Sequence, residues 1–159
     1  DVTTAADMLQ AVLEETSVAD ALIMAAAVAD FRPAAVSHDK LKKEAGIPEI
    51  RLEATTDILA EVARQRSSTG FPRVSVGFAA ESRDLLANAR SKLERKGLDL
   101  IVANDITASD AGFAVDTNRV VLLPARGETE ELPLLSKEEV ARQVIERVVR
   151  LLSNLSLTN

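Results

Sequence analysis

The sequence contains no cysteine and only one histidine, His38, among its 159 residues. The absence of cysteine excludes disulfides, thiolate metal sites and cysteine nucleophiles. A single histidine argues against histidine-based catalytic triads and against metal sites built from several histidines. These two absences remove several large classes of enzyme before any motif is considered.

Glycine-rich and long hydrophobic signals are missing as well. The six glycines are scattered, and no GxGxxG, Walker A, GxSxG or HExxH motif is present. No apolar run is long enough to cross a bilayer and no signal peptide is visible, so we expect a cytoplasmic protein with no membrane partner. The formal net charge of -6 argues against nucleic-acid binding, because no excess of cations is available to neutralise phosphates.

Apolar strand-like runs alternate with amphipathic helical segments along the chain. This alternation predicts an α/β fold: a three-layer, Rossmann-like, doubly wound and mostly parallel sheet, with a short C-terminal β-hairpin. We expect one domain over residues 1–152 and a frayed polar tail over residues 153–159. The predicted helices cover residues 3–16, 57–66, 82–96 and 136–152, and the predicted strands cover residues 21–28, 48–53, 74–79, 98–103, 119–123 and 130–134.

Polar residues follow three of the predicted core strands: Asp30, Glu81 and the pair Asn104-Asp105. Taken singly, each is most simply a turn residue where a strand leaves the core. In a parallel sheet, however, these strand ends share one edge, and ligands of open α/β folds bind there. Three polar ends in the same position therefore favour a binding site at this edge.

A lysine-rich loop follows the first of these strand ends, with Lys40, Lys42 and Lys43 just beyond Asp30. Charge runs are usually solvated surface, and on its own this run would be interpreted that way. Its departure from the carboxyl end of a strand instead favours a mobile loop that closes on phosphates. A carboxylate and three lysines suit a phosphate-bearing, metal-chelated ligand.

Three further features have ordinary structural explanations when taken alone. Lys92 and Lys96 share a helix face near its C-terminus, where cations are favoured. The segment Thr55–Asp57 is first of all a helix cap, although its free amides also suit an anion. Phe78 is most simply a core residue, although it lies near a strand end.

Together these strings resemble the phosphopantothenate–cysteine ligase family, also named phosphopantothenoylcysteine synthetase. In many bacteria this ligase forms the C-terminal half of a bifunctional coenzyme A biosynthesis protein. The resemblance extends from about residue 2 to residue 152. The matching stretches are residues 24–33, 39–43, 76–81 and 92–105, with Gly112-Phe113 behind them.

The resemblance implies CTP-dependent ligation of 4'-phosphopantothenate and L-cysteine. CTP activates the carboxylate as an acyl cytidylate and pyrophosphate leaves; cysteine then displaces CMP to form an amide. Mg²⁺ is expected with CTP, where it bridges the phosphates. FMN is expected only if a decarboxylase domain precedes this one in the parent protein. A homodimer is also implied, with the predicted strand at residues 48–53 as a candidate part of the interface.

The resemblance also implies roles for individual residues. Lys40 matches the catalytic lysine of the family's active-site flap, which also contacts the nucleotide. No residue matches a metal ligand. The other implied nucleotide-binding positions are Met24, Ala25, Ala26, Asp30, Thr56, Asp57, Ile58, Leu59, Phe78, Lys92 and Lys96.

The sequence departs from the family at its start. The family's glycine-rich N-terminal segment carries an asparagine that acts on the acyl-cytidylate intermediate, and we find no such segment here. We therefore expect a truncated ligase domain that binds poorly or is inactive by itself. Two alternatives stay open at this stage: an ATP-dependent version of the same ligase, and a non-catalytic α/β module with a regulatory or assembly role.

Overall fold

The computed structural model describes residues 1–35, 49–81, 84–105 and 116–157. The predicted loop lysines, His38 and Gly112-Phe113 lie outside these ranges. The helices within them are α1 (Ala5–Thr16), α2 (Ile58–Thr69), α3 (Leu85–Arg95) and α4 (Lys137–Ser156). The strands are β1 (Ala21–Met24), β2 (Phe31–Pro33), β3 (Leu52–Ala54), β4 (Val74–Glu81), β5 (Leu100–Asp105), β6 (Thr117–Asn118), β7 (Val120–Pro124), β8 (Glu130–Glu131) and β9 (Leu135–Ser136).

The central sheet has five strands in the order β1-β4-β5-β7-β8. Strands β1, β4 and β5 are parallel, whereas β7 pairs antiparallel with β5 and β8 antiparallel with β7. The predicted α/β class is confirmed as a mixed sheet with a parallel core, and β7 with β8 forms the predicted C-terminal hairpin. Among the described residues, no helix is both long and apolar enough to cross a membrane.

Helices cover the sheet on both faces, which gives the predicted three layers. On one face, Val140, Val144 and Val148 of α4 pack against the sheet cluster that includes Val76 and Val102. On the other face, α3 packs against alternate residues of β5 and β7, and α1 packs beside α2 in a third cluster. Because strands that are buried on both faces have continuous apolar sequences, the core strands could be predicted.

Short-range signals predicted the starts of α1 and α4 and the glycine that follows α3. Both predicted capping boxes are present, Thr4 with Asp7 at α1 and Ser136 with Glu139 at α4. In each box, the first side chain accepts the N3 amide and the N3 carboxylate accepts the cap amide, so two otherwise unpaired donors are satisfied. Gly97 follows α3 with a φ of 59°, a conformation that favours glycine.

The first predicted strand, at residues 21–28, was wrong beyond Met24. Pairing with β4 stops at the Met24–Gly77 register position, and Ala25, Ala26 and Ala27 are exposed in an irregular loop. Alanine side chains bury little apolar area, so they do not hold the chain on the sheet. Apolar composition alone could not distinguish these small residues from the buried strand before them.

The prediction at residues 48–53 was wrong in its bounds. The strand is β3, and it pairs antiparallel with β2, a segment that we predicted as part of a loop. Arg32 Nε donates to Glu53 Oε1 at 2.7 Å across this ribbon. Proline lacks an amide donor, which strand ends and edges tolerate, and Pro33 ends β2. The long-range partner, rather than local sequence, makes β2 a strand.

Two helices extend past their predicted ends. Helix α2 reaches Thr69 rather than residue 66, and Gly70 ends it with a φ of 79°. Helix α4 reaches Ser156, so residues 153–156, which we expected to fray, are helical. The hydroxyls of Ser153 and Ser156 donate to the carbonyls of Val149 and Leu152, so these polar side chains are accommodated within the helix.

Candidate functional site

A cavity of about 170 Å³ opens beyond the carboxyl ends of β1 and β4. Its walls come from the loop after β1, the start of α2, the end of β4 and one side of α3. Open α/β sheets bind ligands in this position. The lining residues are Met24, Ala26, Val28, Ala29, Asp30, Thr55, Thr56, Asp57, Ile58, Leu59, Phe78, Lys92 and Lys96.

Ten of the twelve residues predicted for the nucleotide site line this one cavity. Of the other two, Ala25 is exposed and outside the lining, and Lys40 lies outside the described residues. Val28, Ala29 and Thr55 line the cavity although they were not predicted. The structure thus brings together residues that are separated by up to 72 positions in the chain, from Met24 to Lys96.

Thr55 fixes the loop that carries Asp30. Its Oγ1 donates to the carbonyl of Ala29 at 2.5 Å, and its amide donates to the carbonyl of Asp30 at 2.9 Å. These two bonds tie the loop after β1 to the chain that enters α2. The Thr55-Thr56-Asp57 string indicated a cap and free amides but not this pair of bonds, because the partner of the Thr55 hydroxyl lies 26 residues away.

The N-terminus of α2 supplies main-chain donors to the cavity. Asp57 caps this helix: its Oδ1 accepts the amide of Ala60 at 3.2 Å, and its carbonyl accepts the amide of Glu61 at 3.1 Å. The amides of Ile58 and Leu59 come before the amide of Glu61, the first to donate to a carbonyl at the helix start, so they have no acceptor within the helix. Because the helix dipole is positive at this end, these amides suit an anionic group.

Two lysines of the α3 segment reach the same cavity. Lys92 Nζ donates to the carbonyl of Phe78 at 3.0 Å. Lys96, the C-cap residue of α3, forms an ion pair with Asp57, and only 15% of its side chain is exposed. Burial lowers the pKa of the Lys96 ammonium, and the negative charge of Asp30 opposes that effect.

Among the residues that the structure describes, the charged groups lining the cavity are the two lysines and the carboxylates of Asp30 and Asp57. Lysines and helix amides suit phosphate oxygens. Mg²⁺ commonly binds through one or two carboxylates together with the phosphates of a substrate. This set of donors fits a nucleotide that arrives with its magnesium ion.

Two of the three polar strand ends that the sequence predicted to converge are neighbours in the sheet. The register of β4 and β5 sets Ala80 opposite Asn104 and Glu81 opposite Asp105. The amide oxygen of Asn104 is buried and has no hydrogen-bond partner within the described ranges. Asp30 lies on the adjacent loop and lines the cavity.

An open α/β sheet with a lysine-lined cavity beyond its parallel strand ends defines a Rossmann-like domain, and the cavity suits an anionic ligand. Residues 1–152 match the family described as the DNA/pantothenate metabolism flavoprotein C-terminal domain. The chain belongs to this family, which confirms the relationship that the sequence motifs predicted.

Known relatives and solved structures agree with this assignment. The coenzyme A biosynthesis bifunctional protein CoaBC of Bacillus subtilis (strain 168) is 43% identical over 150 residues, covering 94% of this chain and 36% of the relative. The crystal structure of the C-terminal domain of a CoaBC protein has a TM-score of 0.75 and 35% identity, covering 96% of this chain and 65% of that one. A mutant of Cab2 in complex with phosphopantothenate-cysteine has a TM-score of 0.71 at 19% identity, covering 98% of this chain and 54% of that one, and shows the shared fold. The chain thus spans little more than a third of the length of the curated CoaBC relative.

Proposed function

We propose that this chain is the nucleotide-binding part of a ligase of coenzyme A biosynthesis that joins 4'-phosphopantothenate to L-cysteine at the expense of CTP. The observation that carries the proposal is the convergence of ten predicted positions on one cavity. The names of the CoaBC relatives and the ligand of the Cab2 structure support the same reaction class.

The proposed reaction has two steps. A carboxylate oxygen of phosphopantothenate attacks the α-phosphorus of CTP; the bond to the β-phosphate breaks and pyrophosphate leaves. Mg²⁺ bound with CTP would neutralise the charge on the phosphates. The amine of cysteine then attacks the acyl carbon, loses a proton, and expels CMP. Activation is needed because a carboxylate is a poor electrophile and oxide a poor leaving group.

The residues of the cavity have distinct tasks in this scheme. Lys92, Lys96 and the first amides of α2 bind phosphate oxygens and stabilise the charge that develops on pyrophosphate. The small side chains of the loop after β1, Ala26 and Ala29 among them, leave room for the nucleoside. The carboxylate of Asp30 contacts the nucleotide or its magnesium ion. Lys40 is proposed as the catalytic lysine that closes over the phosphates.

The first experiment is calorimetric titration of the 159-residue chain with CTP and, separately, with ATP, each with Mg²⁺. Saturable binding of CTP, with no binding of ATP, supports the CTP-dependent ligase. Binding of ATP in preference to CTP favours the ATP-dependent version. If neither nucleotide binds this chain, nor a version extended at its N-terminus, the ligase proposal fails and a non-catalytic module becomes the better explanation.

The catalytic step is tested in the full-length parent protein. Substitution of Lys40 by Gln should abolish formation of the acyl cytidylate, measured as release of labelled pyrophosphate from CTP. An unchanged rate would remove Lys40 from the catalytic role.

We also propose that the β2–β3 ribbon joins two copies of the chain. The register pairs Phe31 with Ala54 and Pro33 with Leu52, so these four residues share one face. Phe31 is 62% and Leu52 57% exposed. Because a two-stranded ribbon is marginally stable by itself, a second copy that covers this face would stabilise it.

Sedimentation equilibrium tests this association. The unsubstituted chain should sediment as a dimer, and Leu52→Ser should shift it to the monomer. Val18→Ser is the matched control, because Val18 is 79% exposed elsewhere on the surface and its loss should leave the dimer intact. A monomeric unsubstituted chain would contradict the proposal.

A further inference from the structure

The carboxylate of Asp57 joins two elements of the cavity. Its Oδ1 accepts the Ala60 amide in the first turn of α2, while its Oδ2 pairs with Nζ of Lys96 at the end of α3. The two paired residues are 39 positions apart in the chain. One side chain thus caps a helix and holds a lysine from a different helix.

The position of the Lys96 ammonium depends on its partner. A lysine side chain has a flexible four-carbon stem, so its charged end can occupy several places. Asp57 lies on the α2 side of the cavity, and Asp30 lies on the loop after β1. Pairing with Asp57 holds the ammonium beside the first amides of α2, whereas pairing with Asp30 would draw it toward the loop.

Asp57 is poorly suited to bind a phosphate itself. Its carboxylate carries the same sign of charge as the phosphates of a nucleotide, and both of its oxygens are already engaged. An effect of Asp57 on binding would therefore act through the groups it holds, which are Lys96 and the start of α2.

We propose that Asp57 is a positioning residue, whose carboxylate holds the Lys96 ammonium at the amino end of α2 so that the lysine and the helix amides bind the same phosphate group. This inference rests on the proposed nucleotide-binding function and assigns Asp57 a role different from the direct nucleotide contact implied by the sequence.

The test compares Asp57→Asn with a matched control. Asparagine is as good an N-cap as aspartate, so this change removes the charge and keeps the cap. Glu61→Gln is the control, because Glu61 is in the first turn of the same helix but pairs with Arg64, outward from the cavity. The probes are CTP with Mg²⁺ and inorganic pyrophosphate with Mg²⁺, each titrated by calorimetry.

Asp57→Asn should weaken binding of both probes about tenfold, the loss expected for one misplaced charge-assisted hydrogen bond. Glu61→Gln should bind them normally. The decisive result is the double variant: Asp57→Asn combined with Lys96→Gln should bind no more weakly than Lys96→Gln alone, because Asp57 acts through Lys96. Additive losses, or unchanged affinity in Asp57→Asn, would overturn the inference. Asp57→Ser, another strong N-cap, repeats the test if the asparagine variant folds poorly.

A measurement without ligand separates this inference from the proposed function. The pKa of the Lys96 ammonium, followed by NMR of its side chain, should fall in Asp57→Asn because an attractive negative charge is lost. It should stay unchanged in Glu61→Gln. If neither the unsubstituted chain nor a version extended at its N-terminus binds either probe, the proposed function fails. The Lys96 pKa then decides by itself whether Asp57 holds the lysine, and an unaltered pKa in Asp57→Asn overturns the positioning role as well.

Discussion

Lys92 reaches from α3 to β4, where its Nζ donates a hydrogen bond to the main-chain carbonyl of Phe78 at 3.0 Å. This bond ties a helix to a central strand, and both residues line the cavity. It also holds one of the two lysines that line the cavity in the described part of the chain, while Lys96, the other, pairs with Asp57.

Lys92→Met should weaken binding of CTP about tenfold, because a charge-assisted bond to phosphate is lost. The unfolding free energy should fall by only about 1 kcal/mol, the usual net contribution of one hydrogen bond. Calorimetry measures the first effect and urea denaturation the second. Arg95→Met removes a cation from the same last turn of α3, outside the cavity, and should leave CTP affinity unchanged. Equal affinity losses in the two variants would mean that only net charge matters.

Thr55→Val should impair nucleotide binding while keeping the shape of the side chain. The variant loses the 2.5 Å bond from Oγ1 to the Ala29 carbonyl, which leaves the loop with Asp30 less firmly held. We expect an affinity loss of about fivefold to tenfold, since one hydrogen bond contributes about 1 kcal/mol. Thr55→Ser keeps the hydroxyl and should bind normally.

The control for this prediction is Thr69→Val at the end of α2. Its hydroxyl also donates to a main-chain carbonyl, that of Gln65, but far from the cavity. If Thr55→Val binds CTP as tightly as Thr69→Val does, the loop does not need the hydrogen bond from the Thr55 hydroxyl.

Gly77 allows β4 to pack closely against Leu98, between α3 and β5, and against Leu59 of α2. A Cβ at this position would lie 2.7 Å from Cδ1 of Leu98 and 3.5 Å from Cδ1 of Leu59, and Leu59 lines the cavity. Leu98 is 3% exposed and has little freedom to move. Gly77→Ala should therefore lower the unfolding free energy by about 1–3 kcal/mol, the usual cost of overpacking.

Leu98→Val in the Gly77→Ala background tests this steric explanation. The smaller side chain removes the contacting atoms, so the double variant should be more stable than the sum of the two single losses predicts. Strictly additive losses, measured by urea denaturation, would show that the clash is not the cause.

Most of the site was predicted through the resemblance to the ligase family, whose motifs are short strings near the ends of core strands and helices. Taken alone, Phe78, Lys92 and Lys96 had ordinary structural explanations. The core strands β4 and β5 were recognisable since burial on both faces makes their runs uniformly apolar. Thr55, by contrast, was missed, because its function depends on Ala29, a partner distant in sequence. The ribbon strand β2 was missed for the same reason: only pairing with β3 makes it a strand. The role of Lys96 also depends on Asp57, which local patterns cannot relate to it.

The capping box of α4 predicts a defined response to acid. Glu139 accepts from the hydroxyl of Ser136 at 2.8 Å and from its amide at 2.9 Å. These bonds, of which the one from the hydroxyl has the larger effect, lower the pKa of Glu139 below its ordinary value of 4.5. A group whose pKa is lower in the folded state than in the unfolded state contributes its full stabilisation at pH values above its unfolded-state pKa. This contribution is lost as the pH falls through its folded-state pKa.

Glu139→Gln keeps the capping box, since glutamine also accepts at N3, but it cannot titrate. The variant should therefore be less stable than the unsubstituted chain at pH 7, and the two should converge as the pH falls below about 4.5, the ordinary value for this group. Urea denaturation at a series of pH values measures the difference. Glu138→Gln removes a carboxylate from the same turn but leaves both Ser136 bonds in place, so it should show a smaller pH-dependent difference. If the Glu139 and Glu138 variants follow the same pH curve, the helix dipole rather than the capping box accounts for the effect, because both carboxylates lie in the first turn of α4.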